Sequence, residues 1–174
     1  MISYIDDSIQ NMPTIIRPIN QRDQRKLAML IRSVFEEYRA PLINTVYDDV
    51  RTFHVYDDFQ NTNAKYWVIE NEEEIVGGCG FYPTDGLPEG YAELVKFYLS
   101  PKIRGLGFGS KIFQLVINEA CKAGYQKLYI ESFPEFSEAV AMYLRHGFYY
   151  IPERLGNSCH TATSIFMVLD LKHP

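Results

Sequence analysis

The chain has 174 residues, 47% of them hydrophobic, and a formal net charge of -5 at pH 7. That length and apolar content suit one domain able to bury a core without disulfides or metal. The negative charge argues against a general affinity for nucleic acid, which needs a cationic face to displace counterions, and favours cationic or neutral substrates. No stretch reaches the ~20 uninterrupted apolar residues that span a bilayer, and the acidic opening MISYIDDSIQNMP lacks the basic and apolar regions of a secretory leader. Neither membrane insertion nor secretion is expected. Cys79, Cys121 and Cys159 form no C-x-x-C pair, which fits reduced thiols in a cytoplasmic protein; all three read as packing residues. Residues 1–12 are expected to form a flexible tail and residues 13–174 a single domain, since no linker, repeat or low-complexity tract divides them.

In chain order, Thr14 to Ile19 is a short β-like run, and Asn20 to Tyr38 carries Leu27, Leu30, Ile31, Val34 and Phe35 at helical spacing. Pro41 to Phe59 is aromatic and acidic with no clear period, and is expected to hold a second helix followed by a loop. Ala64 to Glu70 and Ile75 to Tyr82 are β-rich runs separated by NEEE, a hairpin. Tyr91 to Leu99 reads as a strand and Gly107 to Ala123 as a helix with Phe108, Ile112, Leu115, Val116, Ala120 and Ala123 on one face, stopped by Gly124. A strand at Gln126 to Ser132, a helix from Glu135 to His146 and β-runs at Phe148 to Ile151 and Ser164 to Leu169 follow. This order predicts an α/β chain with a mixed sheet and helices on its faces.

The most informative stretch is Arg104-Gly105-Leu106-Gly107-Phe108-Gly109-Ser110-Lys111, between a strand and an amphipathic helix. Glycines allow close approach of a ligand to the backbone, and the free N–H groups of a helix N-terminus favour an anion, phosphate above all. The glycine spacing excludes a dinucleotide G-x-G-x-x-G and a Walker A loop, because position 110 is serine and position 112 is isoleucine.

Arg104, Gly107 and Gly109, preceded by Phe97-Tyr98-Leu99-Ser100-Pro101, are similar to the [RQ]-x-x-G-x-[GA] signature of the GNAT superfamily of CoA-dependent N-acetyltransferases. Ala139-Val140-Ala141-Met142-Tyr143-Leu144-Arg145-His146-Gly147-Phe148 resembles the same superfamily's later helix and turn. The resemblance implies a three-layer fold around a central mixed, mostly antiparallel sheet, and acetyl-CoA as cosubstrate. It further implies that the amides of Arg104, Gly105, Leu106, Gly107, Phe108, Gly109 and Ser110 hold the pyrophosphate, while the backbone of Phe97, Tyr98 and Leu99 pairs with the pantetheine arm like an added strand. The partners it implies are a CoA thioester and an amine acceptor, small molecule or protein, met by a monomer or homodimer. Leu155-Gly156-Asn157-Ser158-Cys159-His160 and Glu93-Leu94-Val95-Lys96-Phe97-Tyr98 look like the L-G-N-[TS]-x-H turn and E-L-x-K-x-Y strand of a bacterial subgroup.

An amine resembling lysine is protonated at pH 7, and freeing its lone pair costs about 4 to 5 kcal/mol, more than a thiolate needs to leave. Glu93 is the candidate base. Strand parity puts it with Tyr91, Val95, Phe97 and Leu99 on an apolar face that would raise its pKa, about 13 Å along the strand from Phe97, so that a water could relay the proton. The bland alternative is a sheet-edge charge or structural ion pair. Tyr143, at the position where the family often protonates the CoA thiolate, is the candidate acid; it also belongs to a Phe136, Ala139, Val140, Tyr143, Leu144 stripe that would pack as core. Phe136 stands where the family often has asparagine. His160 is a candidate for the acceptor wall or an alternate base, against a structural hydrogen-bonded histidine. His54, His146 and His173 show no ligand spacing, and no metal is expected. The sequence leaves open an enzyme or an acyl-CoA-binding sensor without turnover; residues 38–63 are expected to form the acceptor wall.

Overall fold

The computed structural model describes residues 13–60 and 63–172, so the expected tail and part of the expected acceptor wall lie outside the described residues. Among the described residues, β1 (Ile15–Pro18), β2 (Lys65–Asn71), β3 (Glu74–Tyr82), β4 (Tyr91–Leu99), β5 (Lys127–Ser132), β6 (Tyr149–Tyr150) and β7 (Ile165–Asp170) form one sheet in the order β1-β2-β3-β4-β5-β7-β6. Only β4 and β5 run parallel; the other neighbours are antiparallel. α1 (Gln24–Tyr38) and the single turn α2 (Val55–Asp58) cover one face, and α3 (Phe108–Lys122) covers the other, joined by α4 (Ser137–Arg145). This is the helix-flanked mixed sheet that the element order predicts.

α1 buries the whole stripe its sequence carries, Leu27, Leu30, Ile31, Val34 and Phe35. α3 fully buries only Ile112, Val116 and Ala120 of its expected stripe, adds Phe113, and leaves Phe108, Leu115 and Ala123 partly buried. Gly124 takes φ 91° just after α3, a conformation open to glycine. The NEEE hairpin closes in two residues, Glu72 and Glu73, with φ 49° and 63°, as the right-handed twist of paired strands requires.

Three expectations are corrected. Between positions 41 and 59 the loop comes first and the helical turns last: a 3-10 turn at Val50–His54 runs directly into α2. Phe136 lies in a 3-10 turn before α4 and packs towards α1, and that tighter winding sets a different phase, so Met142 is buried while Leu144 is 45% exposed. Cys159 is exposed at φ 66°, so it is not a packing residue; Cys79 is buried.

The fourth departure shapes the site. Gly78 pairs with Tyr98 but Gly80 pairs with Val95, so β4 carries one residue more than β3 there, and Lys96 adopts φ 49°. This β-bulge reverses the parity of β4. Ala92 and Leu94 join the α3-side core, yet beyond the bulge it is Phe97 and Leu99 that do so, while Tyr98 packs against the α1 side. Glu93 therefore does not share a face with Phe97 and Leu99. The bulge is held by Tyr66, 2% exposed, whose hydroxyl donates to the Lys96 carbonyl at 2.7 Å. Its ring fits only because Gly78 and Gly80 present no Cβ: one built on Gly80 would collide with the Lys65 carbonyl and the Tyr66 ring. Gly80→Ala is expected to lower stability by about 1 to 3 kcal/mol through overpacking, and Tyr66→Phe by about 1 kcal/mol through the lost hydrogen bond; urea midpoints measure both.

Candidate functional site

β4 and β5 pair only over Tyr91–Glu93 and Lys127–Tyr129. Past Glu93, β4 stays with β3 and β5 stays with β7 out to Ser132. The strands splay, and a bulged strand bends in this way. A cleft of about 800 Å³ opens between Leu94–Leu99 on one side and residues 130–133 on the other, leaving that edge of β4 without a strand partner.

The glycine loop closes one end. Gly107 caps α3 at φ 85°, and the Lys111 N–H is the first to donate back, to the Gly107 carbonyl at 3.1 Å. The amides of Phe108, Gly109 and Ser110 thus have no carbonyl within the helix to bond, which suits them to an anion. A Cβ on Gly109 would stand 2.8 Å from Leu99 Cδ1, so the glycine lets α3 press against β4. The Arg104 side chain does not reach into the loop: it forms a two-pronged pair with Glu37 at 2.6 and 2.9 Å, donates to the Leu99 carbonyl at 2.8 and 3.1 Å and lies over Tyr38. It ties the loop to α1 and to the end of β4.

Glu93 lines the opposite end, 7% exposed, with the Thr84 hydroxyl donating to Oε2 at 2.5 Å. Burial pushes its carboxyl up to about 7; the Thr84 bond pulls down and nearby Glu131 pushes up. Behind it, Glu131 anchors the 154–163 loop, accepting from Arg154 Nη1 at 2.5 Å, Thr163 Oγ1 at 2.6 Å and Ser158 Oγ at 3.0 Å. Tyr129 adds a donor to Glu131 and takes one from the Leu155 amide, both at 3.1 Å. The Asn157 amide donates to the Asp85 carbonyl at 2.7 Å, so this loop and the segment bearing Thr84 brace each other around Glu93.

His160 Nε2 lies 3.0 Å from Asp49 Oδ2; burial lowers its pKa and Asp49 opposes this. Asp49 itself, despite burial, is held below the ordinary carboxylate range by the Arg51 amide and His160. Lys96 projects into the cleft from the bulge, its pKa lowered by burial and supported by Asp49 and Glu93. Tyr143, 5% exposed, lines the cleft near the glycine loop, stacked on Phe113 at 5.5 Å and beside Phe97 at 6.2 Å. Burial raises its phenol well above the ordinary value, and its hydroxyl makes no hydrogen bond among the described residues.

One cleft thus gathers Glu93, Phe97, Tyr98, Leu99, Arg104, Gly105, Gly107, Gly109, Ser110, Tyr143 and His160. The side chains of Leu106, 63% exposed, and Phe108, packed on the core, do not line it. Sequence reasoning missed Thr84, Lys96, Asp49 and the Glu131–Arg154 pair. Of these, Glu131 left a signal as a lone carboxylate inside the apolar strand LYIES, and Lys96 as the lysine of the E-L-x-K-x-Y motif, which assigned it no role. No group of His, Cys, Asp and Glu among the described residues could hold a metal, and no described helix is long and apolar enough to cross a membrane.

The Acetyltransferase (GNAT) family model matches residues 29–148. An uncharacterized N-acetyltransferase of Escherichia coli (strain K12), YjgM, is 31% identical over 167 residues, which span 95% of this chain and 99% of that protein. Among solved structures, a GNAT acetyltransferase from Staphylococcus aureus Mu50 aligns with a TM-score of 0.79 at 20% identity, over 92% of this chain and 100% of that one. YncA from Salmonella typhimurium, solved with its cofactor acetyl-CoA, aligns with a TM-score of 0.72 at 18% identity, over 94% and 96%. The family match over most of the chain and a near full-length relative lead to one conclusion: the chain belongs to the GNAT family of acetyltransferases.

Proposed function

We propose that the chain transfers an acetyl group directly from acetyl-CoA to a primary amine, both bound together in the cleft between β4 and β5. The observation that carries this reading is the splay itself. An unpaired β4 edge leads from the free amides at the start of α3 to a buried carboxylate, the layout an extended phosphate-ended thioester and an amine require. YncA's bound acetyl-CoA and the similarity of ELVKFY and LGNSCH to a bacterial subgroup support it further.

The residues divide the work. The amides of Arg104 to Ser110 hold the pyrophosphate, Arg104 fixes the loop's position, and the backbone of Phe97 to Leu99 aligns the pantetheine arm as an added strand. Glu93, neutral in half the molecules near pH 7, takes the amine proton, directly or through one water. Its raised pKa makes it a stronger base than an exposed glutamate while keeping it ionised above neutrality. Tyr143 keeps its proton across the working range and acts as the acid by donating a hydrogen bond to the departing sulfur, which ends as the thiol once the proton released by the amine reaches it. His160, held by Asp49, walls the acceptor end.

Calorimetric titration tests the donor: wild type should bind acetyl-CoA and CoA with micromolar affinity, and Gly107→Glu, which sets a carboxylate among the loop amides, should abolish binding while the protein stays folded. A folded wild type that binds neither would refute the reading. Once an acceptor is in hand, Glu93→Gln should lower kcat about 100-fold or more and Tyr143→Phe about 10-fold. Activity should fall tenfold per pH unit below about 7, because Glu93 is then protonated and cannot accept a proton, and that acidic limb should be absent from Glu93→Gln.

A further inference from the structure

The charged groups at the acceptor end are unevenly matched. Asp49 is engaged by His160 at 3.0 Å and the Arg51 amide at 2.9 Å, Asp58 by Arg51 Nε at 3.3 Å, and Glu131 by Arg154 at 2.5 Å. Arg154 is saturated in turn by Ser158, Thr163 and the His160 carbonyl. Lys96 is different. Its ammonium lines the same cleft, half-buried, and makes no hydrogen bond or ion pair among the described residues. Asp49, Glu93 and Asp58 act on it only through space, and a lysine withdrawn from water with no acceptor in contact is unfavourable; the same chain could have avoided it with an apolar residue.

The backbone shows that the position is built. Lys96 is the residue with positive φ in the β4 bulge, its carbonyl pinned by Tyr66 at 2.7 Å, and that bulge aims a side chain into the cleft three residues from Glu93. The Glu93 carboxyl and an ammonium with no hydrogen-bond acceptor in contact therefore face the same space.

We infer that Lys96 is an anion anchor that selects an acceptor carrying a carboxylate next to its amine, a free amino acid, with the amine towards Glu93 and the carboxylate on the Lys96 ammonium. This deepens the transfer reading and rests on it. The bound carboxylate supplies the hydrogen-bond acceptors that Lys96 lacks, and the charges cancel within a site whose other carboxylates are already occupied. A simple alkylamine leaves Lys96 unmatched and forfeits that contact.

The test presents common L-amino acids, L-leucine, L-tyrosine and L-lysine among them, each beside its carboxamide, with acetyl-CoA and a thiol-release readout. The amides have the less basic and more readily deprotonated amines, so a preference for the acids runs against intrinsic reactivity. At least one acid should exceed its amide about 10- to 100-fold in kcat/KM, mainly through KM. Lys96→Met should bring the pair to within about twofold while still binding acetyl-CoA, and Lys96→Arg should keep part of the preference. Amides handled as well as acids throughout, or a preference that survives in Lys96→Met, would overturn the inference and leave the transfer reading standing. Should acetyl-CoA bind but no amine react, thermal stabilisation of the CoA complex decides. Amino acids that raise the melting temperature of wild type and not of Lys96→Met uphold the anchor while the transfer reading fails; no such difference sinks the anchor.

Discussion

The hydrogen bond from Tyr66 to the Lys96 carbonyl crosses a whole strand, and it can do so only because β3 offers Gly78 and Gly80 beneath the ring. That bond stabilises an extra residue in β4. The extra residue in turn reverses which side chains face which core, turns Lys96 into the cleft and bends β4 away from β5. Without the bulge, Phe97 and Leu99 would lose their places against α3, the two parallel strands could pair over a longer stretch, and the cleft would close. A run that looks like a weak strand, IVGGCGFY, is thus what allows the site to exist: the glycines that lower its strand propensity make room for the tyrosine that props the neighbouring strand open.

The second constraint is electrostatic. Glu93 has a folded pKa of about 7 against an ordinary 4.5, so between those pH values the folded chain holds a proton that the unfolded chain gives up. Stability therefore falls as pH rises through that window, and above pH 7 the buried carboxylate costs about 3 kcal/mol. A chain selected for stability alone would not keep such a group 7% exposed with one hydroxyl donor. The braces around it, the Glu131–Arg154 pair and the contact between the Thr84 segment and the 154–163 loop, keep the destabilised group in place. They lie at the end proposed for the acceptor, whereas the glycine loop proposed for the donor offers backbone amides at the start of α3.

This division explains what was legible in the sequence. The glycine loop, the strand bounds at Tyr91 and Leu99 and the stripes of α1 and α3 depend on neighbours within a turn or two, and local spacing reveals them. The burial of Glu93 was readable from its apolar strand, but its face was not, because the bulge depends on Tyr66 from β2 and glycines from β3. Lys96 was marked as the lysine of the E-L-x-K-x-Y motif, but nothing local showed that its side chain turns into the cleft. The Glu131 network joins residues 23 to 32 positions apart, and the Asp49–His160 contact spans 111, distances at which a single sequence carries no pairing signal. The 3-10 turns at Val50–His54 and Pro134–Phe136 have no distinctive period, so one segment was read in reverse order and another in the wrong phase.

In the proposed mode of binding, the splayed β4 edge and the start of α3 receive an extended acyl-CoA. Amide hydrogen exchange, with and without acetyl-CoA, reads this most directly. Exchange should slow at residues 97–99 and 105–110, with the β1–β2 pairing unchanged. Protection confined to another part of the sheet, or none at saturating ligand, would contradict it.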